Sequence, residues 1–299
     1  KIMKNLYMIV NPHGGLKRGL NILERVKPIF KQSNIKLHIK ETEYANHAFE
    51  YSNTLDFKNM DGLCAIGGDG TMHEIINGML KRDDKKTLPI GLITGGTGNS
   101  FMHDLNCLDP VLAAKKIVKN SLRPIDIAEV RYGQKNKIIY SFNIVGWGVA
   151  TDANARAEKM RWLGEFRYNV AAIIEVLKGS KRLAKFSYDK NTEKDDFVFI
   201  LACNTIHTGK GMKAAPYAKL DDGLIDLVIV KKTNRLKLLL LFPKIFSGKH
   251  INSPLVEYQQ VKSFSIFPES GSGLNIDGEL IGNTPFSVTV KAGLVKILV

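Results

Sequence analysis

Long apolar runs are scarce in this 299-residue chain. A helix that crosses a bilayer needs roughly 18 or more apolar residues, yet the greasiest stretch, LKLLLLFPKIF (236–246), is broken by Lys237, Pro243 and Lys244. LYMIV near the start is far too short for the hydrophobic region of a signal sequence, so the expectation is a cytoplasmic protein that meets membranes peripherally. Cysteine is also sparse. Cys64, Cys107 and Cys203 sit among apolar neighbours without C-x-x-C spacing, which excludes a disulfide framework and points to buried free thiols in a reducing compartment. The seven histidines lack metal-ligand spacing, which argues against zinc. Acidic residues are few, 29 against 43 Lys and Arg, giving a net charge of +14, so phosphates and anionic membrane surfaces are the natural partners. A non-catalytic nucleic-acid binder is an alternative from another class. The chain lacks the interleaved aromatics or basic run such a binder uses, and no stable nucleic-acid partner is expected. Repeats and low-complexity tracts are absent too.

What is present is a change of grammar along the chain. At about 100–200 residues per domain, the length favours two domains. Through about residue 128, LYMIV, IKLHIKET, LCAIGG and LPIGLITGG read as strands separated by segments of helical spacing, the βαβ pattern of a parallel sheet covered by helices. From about residue 137, KIIYSFNIVGWG, DFVFILACNT, LIDLVIVKK, VKSFSIFPE, LNIDGEL, FSVTVKAG and LVKILV are strand-like, with helical patches only near 153–179 and 234–246. The fold class is therefore α/β. An N-terminal parallel-sheet domain (1–128) precedes a predominantly β domain (129–299), whose last strand is a candidate to return to the first. The expected ligand position is a cleft between the two.

Three turns interrupt this pattern in the same way. NPHGG (11–15), GGDG (67–70) and TGGTGNS (94–100) each follow a strand of the first domain. The carboxyl ends of parallel strands share one edge, where bare backbone amides at helix starts can receive phosphate. Neither the P-loop pattern nor G-x-G-x-x-G occurs, which excludes the commonest nucleotide fingerprints. After the second turn, Met72, Ile75, Ile76 and Met79 fall at i, i+3, i+4 and i+7, predicting an amphipathic helix. Thr71 and Glu74 spell T-x-x-E, so Glu74 is either a helix cap or a nucleotide contact. Asp69 is either an ordinary turn aspartate or a carboxylate acting on a hydroxyl or on magnesium.

Taken with a late IDGEL (276–280), these turns resemble the diacylglycerol kinase catalytic superfamily, which includes sphingosine kinases, ceramide kinases and soluble bacterial lipid kinases. WGVATDANARAEKMRWLGEFRY (147–168) is similar to the sphingosine and ceramide kinase branch, whereas KLDDGLIDLVIV (219–230) resembles the soluble bacterial enzymes. The resemblance implies an ATP- and magnesium-dependent lipid kinase on an NAD kinase-like α/β domain. It implies Asp69 as general base, with Asp126 and Glu279 in the magnesium and water network beside it. For the nucleotide it implies Asn11, Pro12, Thr42, Gly67, Gly68, Gly70, Glu74, Thr97, Gly98 and Asn99 from the first domain. From the second it implies Glu158, Arg161, Arg167, Asp277 and Gly278. Lys219, Asp222 and Leu224 match a structural magnesium site, the lysine and leucine through backbone oxygens.

Phosphoryl transfer suits this set, because the protein must hold phosphates and orient an acceptor hydroxyl rather than supply covalent chemistry. The implied partner is a lipid at an anionic membrane surface, and a homodimer is left open. Asp152 and Asn154 are the implied lipid contacts. Sphingosine kinases carry an aspartate where this chain has Asn154, and an amide cannot pair with an ammonium as a carboxylate does. A neutral acceptor such as diacylglycerol or ceramide gains accordingly. The runner-up is a kinase of a soluble substrate such as NAD, since NAD kinases share a G-G-D-G turn. The E-K-x-R-x-L-G-x-x-R pattern argues against that reading.

Overall fold

The computed structural model describes residues 3–15, 17–96, 98–209 and 211–299, with the backbone alone for Arg161 and Glu165. The chain divides into two compact units, residues 1–125 with 293–299, and residues 126–292. The first unit therefore ends at 125, three residues before the expected boundary, and the last seven residues of the chain belong to it.

In the first unit, β1 (Asn5–Val10), β2 (Lys36–Glu41), β3 (Gly62–Gly67) and β4 (Ile90–Thr94) form a parallel sheet in the order β4-β3-β1-β2. β3 and β4 are buried at every residue, as a sheet covered on both faces requires. The helices α1 (Gly19–Gln32), α2 (His47–Thr54) and α3 (Asp69–Leu80) connect these strands, and α4 (Ser100–Asp104) and α5 (Pro110–Val118) follow β4. α1 buries Ile22, Leu23, Val26 and Phe30 at helical spacing. α5 starts with Pro110 at its first position and with Asp109 accepting the Leu112 amide at 2.7 Å, a favourable N-terminus.

The second unit is antiparallel. Leu122–Tyr132 (β5) enters it and pairs with β6 (Lys137–Ser141). β7 (Ile144–Gly148), β8 (Arg182–Tyr188) and β9 (Asn191–Cys203) follow, with the first half of β9 pairing with β8 and its second half lying between β7 and β12 (Ile225–Lys231). β10 (His207–Thr208) and β11 (Met212–Lys213) form a separate small pair. β13 (Glu257–Val261), β14 (Ser263–Pro268), β15 (Gly273–Ile276), β16 (Glu279–Asn283) and β17 (Phe286–Leu298) complete the unit. Its core gathers Trp147, Phe186, Phe197, Phe264 and Phe286, with edge-to-face ring pairs such as Phe186–Phe197 at 5.7 Å. β17 is one 13-residue strand where the sequence suggested two. It pairs with β14 early, and Ile297 pairs with Ile90 of β4 late.

Two helical expectations need correction. The patch at 153–179 is not one helix: α6 (Val149–Lys159) ends before a 3-10 segment, Arg161–Phe166, and α7 runs Arg167–Lys178. Gly164 causes the break, with φ +55 and ψ −125, a conformation that glycine adopts without strain. The patch at 234–246 is the short α8 (Arg235–Leu241) followed by a 3-10 turn with Pro243 inside it. No helix among the described residues is long and apolar enough to cross a membrane.

Candidate functional site

The three glycine turns of the first unit converge. The Gly95 amide donates to the Gly67 carbonyl at 2.7 Å, and the Asn11 amide to the Ile66 carbonyl at 2.9 Å. A Cβ on Gly96 would stand 2.6 Å from the Gly68 Cα. Gly15, at φ +57, would place one 2.8 Å from the Gly95 carbonyl oxygen. Backbones approach this closely only where side chains are missing. β1, β3 and β4 thus deliver Asn11–Gly15, Gly67–Gly70 and the Gly95–Asn99 turn to one edge of the sheet. Thr97 lies outside the described residues.

Asp69 stands at the centre of this edge as the first residue of α3. Its Oδ2 accepts the Ser100 amide at 2.7 Å and its Oδ1 the Phe101 amide at 3.3 Å. The carboxylate is half-buried and faces the positive start of α4 while sitting at the start of α3. Among the described residues no side chain caps α3, and the start of a helix favours an anion. Asn99 caps α4 in a left-handed conformation, and its Nδ2 donates to the Gly96 carbonyl at 2.8 Å. Its Oδ1 is buried without a hydrogen-bond partner among the described residues. An unpartnered acceptor oxygen beside two helix starts suits a hydrated magnesium–phosphate group, which would bring both donors and negative charge. Thr42 is buried with its hydroxyl on the Val10 carbonyl at 3.4 Å, at the end of β1 just ahead of Asn11 and Pro12.

The T-x-x-E reading of α3 is corrected here. α3 begins two residues before Thr71, whose Oγ1 instead accepts from the Asn11 Nδ2 at 3.3 Å. Glu74 caps a different helix, accepting the Asn46 amide at 3.0 Å and the Ala48 amide at 3.1 Å at the start of α2. Burial pushes its carboxyl pKa above the ordinary value despite those two amides.

The second unit holds the other candidates. Asp277, at φ +54, is buried and satisfied by its own chain: Oδ1 accepts the Ser141 hydroxyl (2.7 Å), the Asn143 amide (2.9 Å) and the Ile144 amide (3.1 Å), and Oδ2 the Phe142 amide (3.3 Å). It therefore ties the turn between β6 and β7. Asp126 is buried, with Oδ2 accepting the Gly223 amide at 2.6 Å. Asn204 joins the two regions through its Nδ2, which donates to the carbonyls of Asp126 (2.9 Å) and Phe142 (3.0 Å). Glu279 is exposed at the start of β16. Glu158 and Arg167 meet in an ion pair at 3.2 Å, and the Arg167 guanidinium also lies over the Tyr168 ring. The side chain of Arg161 lies outside the described residues. Asp152 is held by Arg182, whose Nη2 is 2.8 Å from both carboxylate oxygens. Asn154 donates to the Gly278 carbonyl at 2.7 Å.

Lys219 and Asp222 are exposed, and Asp222 accepts the Leu224 amide at 3.1 Å. No group of three or more His, Cys, Asp or Glu gathers as a metal site among the described residues. The Asp222 carboxylate and the backbone carbonyls of Lys219 and Leu224 are oxygen donors, the type magnesium takes. The sequence reading missed Ser100, Ser141, Asn143, Asn204 and Arg182. No local pattern marks them, since their partners lie between 30 and 136 residues away.

Comparison with known proteins identifies the family and the fold. Residues 5–130 match the diacylglycerol kinase catalytic domain, and residues 143–299 the YegS C-terminal NAD kinase beta sandwich-like domain. Sphingosine kinase 1 of Arabidopsis thaliana is 31% identical over 89% of this chain, which spans only 64% of that relative's length. Diacylglycerol kinase of Bacillus subtilis is 29% identical, covering 95% of this chain and 92% of its own. A solved Bacillus anthracis protein with a provisional diacylglycerol kinase assignment superposes with a TM-score of 0.83 at 25% identity, over 100% of this chain and 96% of its own.

Proposed function

The chain belongs to the diacylglycerol kinase catalytic superfamily, and from that premise we propose that it transfers the terminal phosphoryl group of ATP to the hydroxyl of a lipid. The observation that carries this reading is the convergence of three glycine turns on one sheet edge with Asp69 among them. The turns receive the phosphates on backbone amides, with α3 contributing the charge of its uncapped start. Asp69 accepts the proton of the acceptor hydroxyl as the oxygen attacks phosphorus. The Ser100 and Phe101 amides fix its orientation, so rate comes from positioning. Magnesium, when bound, supplies charge neutralisation for the phosphates. In the second unit, Glu158 and Arg167 act on the nucleotide as a preformed pair, and the exposed Glu279 is available to water and metal. Asp222, with the Lys219 and Leu224 carbonyls, would hold a structural magnesium.

The test is incubation with labelled ATP, magnesium and a panel of diacylglycerol, ceramide, sphingosine and NAD, repeated with Asp69→Asn. A labelled lipid that disappears in the variant supports the proposal. Label on NAD alone, or full activity in the variant, overturns it.

A further inference from the structure

In the second unit the β5–β6 ladder runs as far as Ala128 with Ser141, so Asp126 and the turn at Phe142–Asn143 lie beyond it. The ladders of β9 end at Cys203, which pairs with Ile144 on one side and Asp226 on the other. The next residue takes over where these ladders stop. Asn204 is buried and donates from its Nδ2 to the carbonyls of Asp126 (2.9 Å) and Phe142 (3.0 Å), and from its backbone amide to the Asn143 carbonyl (2.8 Å). Both protons of the side-chain amide are thereby spent on main chain. The Asp126 amide donates onward to the Leu220 carbonyl, and its Oδ2 accepts the Gly223 amide, each at 2.6 Å. Asp277, two residues before the exposed Glu279, fixes the Phe142–Ile144 turn from its other side. One side chain thus joins Asp126 to the D-G-E turn.

A purely structural brace needs only to be satisfied, and this junction leaves an acceptor open. Asn143 is 3% exposed and carries a buried Oδ1 with no hydrogen-bond partner among the described residues. Buried acceptors are rarely left so, and one at this junction suits donors brought by a ligand, such as the waters that magnesium keeps. We propose that Asn204 is a positioning residue for phosphoryl transfer, holding Asp126 and the Asp277–Glu279 turn at one fixed separation. This deepens the kinase reading and rests on it, because that reading gives Asp126 and Glu279 to magnesium and its waters. Asn204 touches neither nucleotide nor acceptor in this role and acts through the two segments it joins. A misplacement of about 1 Å at a reacting centre costs about a hundredfold in rate, and removing the Nδ2 bonds frees the two segments to part.

The experiment measures kcat, the KM for ATP, binding of a fluorescent ATP analogue and melting temperature for the unaltered full chain, Asn204→Ala, Asn204→Ser and a core control, Val288→Ala. Asn204→Ala should lower kcat about tenfold or more and raise the magnesium concentration needed for half-maximal rate. The KM for ATP and the binding of the analogue should stay within about threefold of the original, as expected when only the chemical step is disturbed. Asn204→Ser, which keeps one donor, should fall between the two and carries the test if the alanine variant does not fold. Val288→Ala, in the buried core, should lose stability but keep its kcat. Asn204→Ala added to Asp126→Asn should lower kcat no further than Asp126→Asn alone, since the carboxylate it positions is gone. An unaltered chain that labels no acceptor overturns the kinase reading and this inference with it. An active unaltered chain with kcat unchanged in both Asn204 variants, or a loss that multiplies in full with that of Asp126→Asn, overturns this inference alone. So does an equal fall in kcat for Val288→Ala, which would tie the rate to stability.

Discussion

The Asp69 carboxylate receives the Ser100 amide at 2.7 Å, so the residue that opens α3 also holds the start of α4. A carboxylate fixed in this way by backbone can be altered chemically without being displaced. Asp69→Asn keeps an oxygen for the Ser100 amide but loses the capacity to take a proton. Its expected effect is a fall in turnover of roughly a hundredfold or more, with a melting temperature within a few degrees of the original. Asp69→Ala also removes the support of α4 and should cost about 1 kcal/mol more in stability. Steady-state assays paired with thermal melts separate the two effects. A large loss of stability in Asp69→Asn would assign the residue to structure alone.

The glycines at the sheet edge give a graded test. Gly96→Ala would force a Cβ to 2.6 Å from the Gly68 Cα, a backbone atom with nowhere to go. Gly98→Ala meets nothing nearer than Asp69 Oδ2 at 3.7 Å. Gly96→Ala should therefore lose about 1–3 kcal/mol and raise the KM for ATP as the turns separate. Gly98→Ala should fold like the original chain. Equal melting temperatures for the two variants would contradict the close packing of the turns.

Much of the first unit was legible in the sequence because parallel strands are uninterrupted apolar runs and glycine turns follow them directly. The second unit was harder. β8, with its half-polar Arg182–Tyr188, showed no continuous apolar run, and the helical patch after Val149 gave no hint of its break at Gly164, since a single glycine is tolerated in a helical pattern. The polar contacts were least legible of all. Asp277 reads as part of a D-G-E motif, but only folding shows it turned onto Ser141–Ile144 while Glu279, two residues on, faces solvent. T-x-x-E suggested a cap for the wrong helix, because the carboxylate that matches the spacing reaches across to α2.

That saturation of Asp277 has a measurable cost. Asp277→Ala strips the acceptor from one hydroxyl and three amides in a buried turn, which should destabilise the second unit by about 3–5 kcal/mol. Asp277→Asn, which keeps one acceptor oxygen and tolerates the left-handed backbone, should lose less. Denaturant titration followed through the buried Trp147 reports this. A neutral Asp277→Ala would leave the carboxylate free for another role.

Glu74 supplies a pH signature. Burial raises its carboxyl pKa in the folded chain, so protonation favours the native state. That contribution is fully present below the unfolded pKa and is lost as pH rises through the folded one. Glu74→Gln is neutral at every pH and does not lose it. The melting temperature of Glu74→Gln relative to the unaltered chain should therefore improve as pH rises from about 4 to 7. If the KM for ATP also rises about tenfold in the variant, Glu74 contacts the nucleotide in addition to supporting α2. A stability difference that is flat with pH would remove the buried-carboxyl argument.

If Asp152 contacts the acceptor, as the lipid kinase proposal has it, its pairing with Arg182 selects which lipid is phosphorylated. Arg182 holds both oxygens of Asp152 at 2.8 Å, and Asn154 spends its amide on the Gly278 carbonyl. An acceptor with an ammonium beside its hydroxyl would find neither an unpaired carboxylate at Asp152 nor any negative charge at Asn154. Neutral lipids should accordingly be preferred over sphingosine. Arg182→Ala releases Asp152 into a half-buried setting where it can pair with a cation. The ratio of kcat/KM for sphingosine to that for diacylglycerol should then rise about tenfold, equivalent to about 1.4 kcal/mol of discrimination. Asp152→Asn combined with Arg182→Ala should abolish the gain, because the released charge is what recruits the amine. A ratio unchanged by Arg182→Ala would show that Asp152 lies out of reach of the acceptor.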